Sequence, residues 1–204
     1  MARFFIPQET AQGETRVAVT PETAKKFISL GCSVCIEREA GLSAGFLDET
    51  YKDVGAELVE KGENEAWTQC DVLLCVQTPK EELLKKLPKG TVIIGLLAPY
   101  QNKALSNCLE SGTLSALALE LLPRISRAQS SDALSSQANV AGYKSVLLGA
   151  TALDRYFPML MTAAGTVQPA KIVVLGAGVA GLQAIATAKR LGAVVFVSDI
   201  RPAV

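Results

Sequence analysis

The sequence contains no histidine, few aromatic residues and no excess charge of either sign. Its 204 residues include 20 basic and 20 acidic side chains, and aromatic residues make up 5% of the chain. Because the charges cancel and no segment gathers a basic stripe, the electrostatic basis for nucleic-acid binding is missing. We therefore expect a small molecule or another protein as the partner, and no nucleic acid.

The chain also lacks the signs of secretion and of a metal site. Its first residues, MARFFIPQETAQGETR, contain no apolar core of signal-peptide length, so we expect a cytoplasmic protein. Five cysteines form no disulfide framework, which suits a reducing compartment. Cys32 and Cys35 have redox or zinc spacing, but no second such pair and no histidine accompanies them. The cysteines are interpreted as small buried side chains, and no metal is predicted.

Short β-like runs alternate with helical patches through roughly the first 120 residues, which is typical of an α/β domain. Runs such as VLLCV and VIIGLL favour strands covered on both faces of a parallel sheet. Thr20-Pro21-Glu22 has the N-cap, proline and acid of a helix start. The strands are predicted at Arg3–Ile6, Ser33–Glu37, Asp71–Val76, Thr91–Leu97 and Thr113–Leu119.

A long proline-free segment from Ser131 to Phe157 predicts a single helix that ends before Pro158. Small residues recur along one face of it, at Ala138, Gly142, Ser145 and Gly149. That face would let another backbone approach closely, either from a helix of this chain or from a second copy. The residues after Pro158 predict a short ribbon.

A glycine-rich loop follows the apolar strand IVVL and opens the helix LQAIATAKRL. In such a loop the first glycine allows a tight turn, the second lets backbone approach a pyrophosphate, and the third lets helix pack on strand. An acid, Asp199, ends the next strand 18 residues after Gly181, against about 20 expected. The loop residues are Gly176, Ala177, Gly178, Val179, Ala180 and Gly181.

This pattern predicts dinucleotide binding, with the alternative that the loop is only a structural turn. An acid at the ribose position repels a 2′-phosphate, so NAD(H) is favoured over NADP(H). Arg201 is interpreted as a solvated side chain, with a softening of that preference as the alternative.

We predict an α/β fold with two Rossmann-like, doubly wound domains joined by a long helix. The first domain covers 1–130, the helix and ribbon cover 131–165, and the second domain covers 166–204 and is incomplete in this chain. A strand-helix-strand unit without its neighbouring strands buries little apolar surface, so we expect the chain alone to bind NADH weakly or not at all.

A polar block, PRISRAQSSDALS, lies between an apolar strand and the long helix. Loops at the carboxyl ends of strands are where α/β proteins bind ligands, whereas an elaborate helix N-cap would also explain the block. Alcohol and amine dehydrogenases usually need a general acid or base, commonly histidine. Hydride exchange between two nicotinamides moves no such proton, so a site of this composition suits positioning.

With these two blocks the sequence resembles the alanine dehydrogenase and nicotinamide nucleotide transhydrogenase family, and within it the NAD(H)-binding part of bacterial proton-translocating transhydrogenases. The resemblance rests on ETRVAVTP, PRISRAQSSDALSSQANVAGYKSV, GAGVAGLQAIATAKRLGAVV and SDIRP. It implies hydride transfer from NADH to NADP⁺, coupled to proton movement through a separate membrane domain. It also implies a homodimer, NADP bound by a different domain, and a cytoplasmic position beside the inner membrane.

The resemblance implies roles for individual residues. Arg124 and Gln129 would steer the nicotinamide ring and carboxamide, Asp132 would fix Arg124 or the ribose, and Ser135 lies on the first turn of the following helix. The cofactor-binding set would be Gly176, Gly178, Val179, Ala180, Gly181, Asp199, Ile200 and Arg201.

Two other functions stay open. Alanine dehydrogenases bind pyruvate through an arginine and a lysine and use a histidine. Arg16 matches the arginine, Cys75 stands at the lysine position, and no histidine follows in IIGLLAPYQN. These departures argue against amino-acid chemistry. A ligand-sensing or scaffold domain that retained the glycine loop is the non-enzymatic alternative.

Overall fold

The computed structural model describes residues 1–202 and divides the chain into two compact units. The first unit is Met1–Ala128, and the second begins at Gln129. Each unit is considered by itself below.

Six parallel strands form the sheet of the first unit, in the order β3-β2-β1-β4-β5-β6. Its strands are β1 (Arg3–Ile6), β2 (Ser33–Glu37), β3 (Glu57–Val59), β4 (Val72–Gln77), β5 (Val92–Leu96) and β6 (Ser115–Ala118). Its helices are α1 (Pro21–Ser29), α2 (Asp48–Asp53), α3 (Asn64–Thr68), α4 (Glu81–Leu84) and α5 (Lys103–Glu110). The chain runs outward from β1 in one direction and then returns to place β4 on the other side, so the predicted doubly wound sheet is confirmed.

Alternate residues of each strand enter separate cores on the two faces of this sheet. Phe5, Cys35 and Leu73 pack with Trp67 on one face. Their chain neighbours Ile6, Ile36 and Leu74 pack with Tyr51 in the other cluster. Both faces are therefore covered, which explains why these strands read as continuous apolar runs.

The cysteines that face these cores behave as small apolar side chains. Cys35, Cys70 and Cys75 are buried, and burial raises the pKa of each thiol. All five cysteines are free thiols.

The second unit consists of a long helix, a hairpin and a strand-helix-strand unit. Its elements are α6 (Ala133–Ala152), β7 (Leu160–Thr162), β8 (Gly165–Val167), β9 (Lys171–Leu175), α7 (Val179–Arg190) and β10 (Val194–Ser198). β7 and β8 pair antiparallel as the predicted ribbon, and β9 and β10 pair parallel.

The long helix ends earlier than predicted. α6 stops at Ala152, and Leu153 is extended, with φ −94° and ψ 120°. The chain leaves the helix there, and Phe157 becomes buried against Val146, Ala184 and Ala188. Burial of one aromatic ring in this small core explains why the last predicted turn is absent.

The small-residue face of α6 packs against α7 of the same chain. A Cβ atom on Gly142 would lie 2.1 Å from the carbonyl oxygen of Ala180, so the two helix backbones touch there. One turn earlier, Asn139 Nδ2 donates to Gln183 Oε1 at 3.1 Å. Gly149 faces open space, since a Cβ added to it would meet no atom within 4 Å.

Replacing Gly142 by alanine should loosen the second unit. The added methyl would force α6 and α7 apart, which we expect to lower the free energy of unfolding of this unit by about 2 kcal/mol. Hydrogen exchange measured on peptides from α6 and α7 should show faster exchange. Gly149→Ala is the matched control: it removes a helical glycine without a clash and should stabilise the helix by up to about 1 kcal/mol. Equal effects of the two substitutions would contradict the assigned contact.

Candidate functional site

The glycine loop between β9 and α7 leaves the N-terminus of the helix open. Gly176 has φ +93°, a left-handed conformation that favours glycine and turns the chain out of the strand. A Cβ on Gly181 would lie 1.8 Å from the carbonyl oxygen of Gly176, so the helix rests directly on the loop. The N-cap, Gly178, makes no side-chain cap, and a Cβ added there would meet no atom within 4 Å. This space and the free helix N–H groups suit an anionic ligand.

Asp199 ties the loop to the end of β10. Its Oδ2 accepts the backbone N–H of Ala177 at 2.7 Å, so one carboxylate joins the turn after the first strand to the end of the second. The neighbouring Ile200 is almost fully exposed. The arrangement places an acceptor beside the open helix N-terminus.

Arg201 is not a solvated side chain, so that interpretation is wrong. Its Nε donates to Asp199 Oδ1 at 2.9 Å, its Nη2 donates to Asp199 Oδ2 at 2.9 Å, and its backbone N–H also reaches Oδ1. The turn after β10 folds the guanidinium back over the acid. The Arg201 guanidinium holds the pKa of Asp199 well below its usual range.

The polar block is divided by the boundary between the two units. Arg124 belongs to the first unit and is exposed. Gln129 begins the second unit, within a 3-10 turn over Ser126–Ser131, and its carbonyl accepts the N–H of Asp132 at 3.3 Å.

Asp132 is the N-cap of α6, as one interpretation of the block predicted. Its Oδ1 accepts the N–H of Ser135 at 2.9 Å, and the Ser135 hydroxyl donates to its Oδ2 at 2.6 Å. The two side chains fix the first turn of the helix. Asp132 and Ser135 therefore form a rigid polar pair directly after Gln129.

In the first unit, Arg16 is held by a bidentate ion pair with Glu14. Arg16 Nε and Nη2 donate to the two Glu14 oxygens, both at 2.7 Å, and lower the pKa of Glu14 to about 2. From β4, the side chain that reaches this pair is Gln77, whose Nε2 donates to Glu14 at 2.7 Å. Cys75, assigned above to the lysine position, lies deeper, with its Sγ toward the carbonyl of Ile94.

Across residues 1–202, no group of three or more histidine, cysteine, aspartate or glutamate side chains is placed to hold a metal ion. Within the same part of the chain, none of the helices has both the length and the apolar character needed to cross a membrane.

The acids that close loops in this structure were not predicted from the sequence. Glu37 at the end of β2 and Glu9 after β1 both accept backbone N–H groups. The sequence does carry a signal for them, because both are acids at the carboxyl end of an apolar strand. It does not show which N–H groups they meet.

Two family models match consecutive parts of the chain. The model described as "Alanine dehydrogenase/PNT, N-terminal domain" matches residues 5–141, and "Alanine dehydrogenase/PNT, C-terminal domain" matches residues 145–204.

Relatives of both kinds named in these models are found. The first of the separate polypeptides that make up the NAD(P) transhydrogenase alpha subunit of Rhodospirillum rubrum is 46% identical over 98% of this chain and 53% of the relative. Alanine dehydrogenase of Mycolicibacterium smegmatis is 31% identical over 96% of this chain and 53% of that protein. The chain thus spans about half the length of the curated relatives it matches.

Solved structures give the same relationship. A transhydrogenase from Sinorhizobium meliloti superposes with a TM-score of 0.92 at 48% identity, covering 98% of this chain and 57% of that one. An L-alanine dehydrogenase superposes with a TM-score of 0.82 at 30% identity, covering 98% and 55%.

Glu14→Gln should destabilise the first unit in a pH-dependent way. Because the pKa of Glu14 falls from 4.5 to about 2 on folding, its ionised form stabilises the fold fully above 4.5, and this contribution is lost as the pH drops to about 2. The stability difference between wild type and variant should therefore shrink over that range in urea unfolding followed by circular dichroism. Glu22→Gln, which breaks an exposed pair with Lys26, is the control and should have a much smaller effect. A pH-independent difference at Glu14 would contradict the ion pair.

Proposed function

The chain belongs to the alanine dehydrogenase and PNT family, and from that premise we propose that it is the NAD(H)-binding part of a proton-translocating transhydrogenase. The complete enzyme would transfer hydride from NADH to NADP⁺ while a separate membrane domain moves protons. The observation that carries the proposal is the glycine loop, in which an open helix N-terminus lies beside an acid at the end of the next strand.

The second unit would hold the pyrophosphate and the adenosine ribose. Free N–H groups at the start of α7 suit the phosphates, and the space at Gly178 lets them approach the backbone. Asp199 would accept the ribose hydroxyls and disfavour a 2′-phosphate, so NAD(H) is the proposed ligand and NADP would be bound by a different domain. Val179, Ala180, Ile200 and Arg201 would complete the surroundings of the dinucleotide.

Arg201 has a more specific role in this proposal than simple contact. Its guanidinium uses both oxygens of Asp199, so the ribose hydroxyls must share or displace these bonds. Arg201 would therefore set how strongly Asp199 binds the ribose.

The polar block would position the nicotinamide. Gln129 and Arg124 would contact the ring and its carboxamide, while Asp132 and Ser135 hold the first turn of α6 in place. NADH, when bound, supplies the hydride. The residues of this chain need only bind and orient it, because hydride exchange between two nicotinamides requires no proton transfer, which suits a chain without histidine.

Amino-acid dehydrogenation is the second candidate, and the first unit disfavours it. Gln77, a neutral amide, occupies the position from which a cation would reach a substrate beside Arg16, and Cys75 is a buried thiol. The chain also offers no histidine as the acid or base. A non-catalytic scaffold is disfavoured because the polar block retains all four proposed positioning residues.

The proposed partners are a second copy of the subunit, an NADP-binding domain and membrane-spanning subunits. A second copy is supported by exposed apolar side chains on α6, where Val140 is 60% exposed and Leu148 is 57% exposed. Through the membrane subunits the protein would lie at the cytoplasmic surface of the inner membrane.

Gln129→Ala should slow hydride transfer in the assembled enzyme by about tenfold or more while changing NADH affinity little, because misplacing a reacting ring costs rate more than binding. Transfer is measured by stopped-flow absorbance, and binding by the fluorescence of NADH titrated into the complete subunit. Gln101→Ala, an exposed glutamine of the first unit, is the matched control. An unchanged rate would remove the role of Gln129, and an absence of NADH binding would sink the cofactor proposal.

Residues 1–204 alone should bind NADH weakly or not at all. The strand-helix-strand unit has only two strands, and Val173, Leu175 and Phe196 are 64%, 82% and 52% exposed. Isolated two-stranded units are marginally stable, so the loop would not stay in register. Fluorescence titration of the chain against the complete subunit tests this, and micromolar affinity for the chain would contradict it.

A further inference from the structure

A pocket of about 360 Å³ lies in the first unit at the carboxyl ends of β1 and β4. These two strands flank the point where the strand order reverses, which is where open α/β sheets bind ligands. The residues that matter for its chemistry are Gln8, Glu9, Glu37, Trp67 and Gln77. None of them has a role in the dinucleotide binding proposed above.

Two polar atoms of residues that line this pocket are buried without a hydrogen-bond partner. One is the indole N–H of Trp67, a residue only 2% exposed, and the other is the side-chain carbonyl oxygen of Gln8. Buried donors and acceptors are rarely left unpaired, because each then loses its bonds to water. The N–H needs an acceptor and the carbonyl needs a donor. A hydroxyl group is both.

The carboxylate of Glu37 repeats the arrangement seen at Asp199 in the second unit. Glu37 ends β2 and accepts the N–H of Gln8, two residues after β1, at 2.7 Å. Asp199 follows β10 and accepts the N–H of Ala177, two residues after β9, also at 2.7 Å. An acid at this place in a nucleotide-binding sheet accepts the hydroxyls of a ribose. Glu37 lines the pocket and retains unused lone pairs for the same purpose.

The pocket disfavours an anion. Its loop after β1, Pro7 to Ala11, contains no glycine that would let phosphate approach the backbone. The N–H groups of Val76 and Gln77, at the end of β4, are already taken by the carboxylate of Glu9. Carboxylates lining the pocket also outnumber lysines, with Glu9, Glu37 and Glu81 against Lys61 and Lys80.

We propose that this pocket binds a small uncharged ligand rich in hydroxyl groups, of the polyol or ribonucleoside class. Glu37 and the Gln8 carbonyl accept bonds from its hydroxyls, and the Trp67 indole N–H donates to one of them. The apolar ring of Trp67 covers the carbon skeleton of the ligand. The proposal is independent of NAD(H) binding by the second unit.

Trp67 is the single tryptophan of the chain, so its signals report on this pocket alone. Uridine and ribose, titrated into the full chain, should shift the indole N–H resonance in a saturable way and slow its exchange with water. Uridine 5′-monophosphate should bind at least about tenfold more weakly, because its charge meets the carboxylates. No saturable shift with any probe, or equal or tighter binding of the monophosphate, would overturn the proposal.

Variants separate this site from the ribose site of the second unit. Gln8→Met removes the unpaired acceptor at similar length and should weaken uridine binding by about tenfold. Gln101→Met is the matched control, and Asp199→Asn should leave the Trp67 response unchanged. Loss of the response in Asp199→Asn would assign the binding to the second unit instead and refute the pocket. An unchanged response in Gln8→Met would remove the recognition by Gln8 on which the proposal depends.

Discussion

The backbone of α7 touches other backbone on two sides, and the geometry of the second unit depends on these two contacts. The carbonyl oxygen of Gly176 occupies the place of a Cβ at position 181, and the carbonyl oxygen of Ala180 occupies the place of a Cβ at position 142. Any side chain at either glycine would push the helix away from the loop or from α6. The direction of the first N–H groups of α7 is therefore set by side chains that are missing.

The first unit solves the same structural problem with charge instead of with glycine. The carboxylates of Glu37 and Glu9 bind the N–H groups at the ends of β1 and β4, and Glu120 binds those of Leu97 and Ala98 after β5. Ala98 has φ +43°, which is unfavourable for alanine, and the two bonds from Glu120 hold it there. One unit thus leaves its strand ends open to a ligand, whereas the other closes most of them with its own acids.

Sequence patterns predicted the strands well where turn residues bound an apolar run. β1 and β2 occur at the predicted residues, and the remaining predicted strands differ by one or two residues at each end. β3 was missed because three residues are too short to show a period, and α6 was predicted too long because nothing local signals that Phe157 turns into a core. Such endings depend on tertiary packing.

The candidate site was predictable only where bonds are local in sequence. The glycine loop follows from spacing, and the Asp132 cap follows from its position before a helix. The pairing of Arg201 with Asp199 depends on the turn after β10, which the sequence does not specify. The unpaired groups of Gln8 and Trp67 come together only through the order of strands in the sheet, so no sequence motif marks them. The assignment of residues to NAD(H) stays a prediction.

The position of β1 in its sheet also has a consequence for synthesis of the protein. β1 is the first strand to leave the ribosome, yet it lies in the middle of the sheet, between β2 and β4. It can pair with β2 early, but its other edge stays open until Gln77 has been made. At usual translation speeds this takes about 4 to 15 seconds. During that time Phe4, Phe5 and Ile6 form an exposed apolar edge, so the nascent chain is most prone to association before the second half of its own first sheet has appeared.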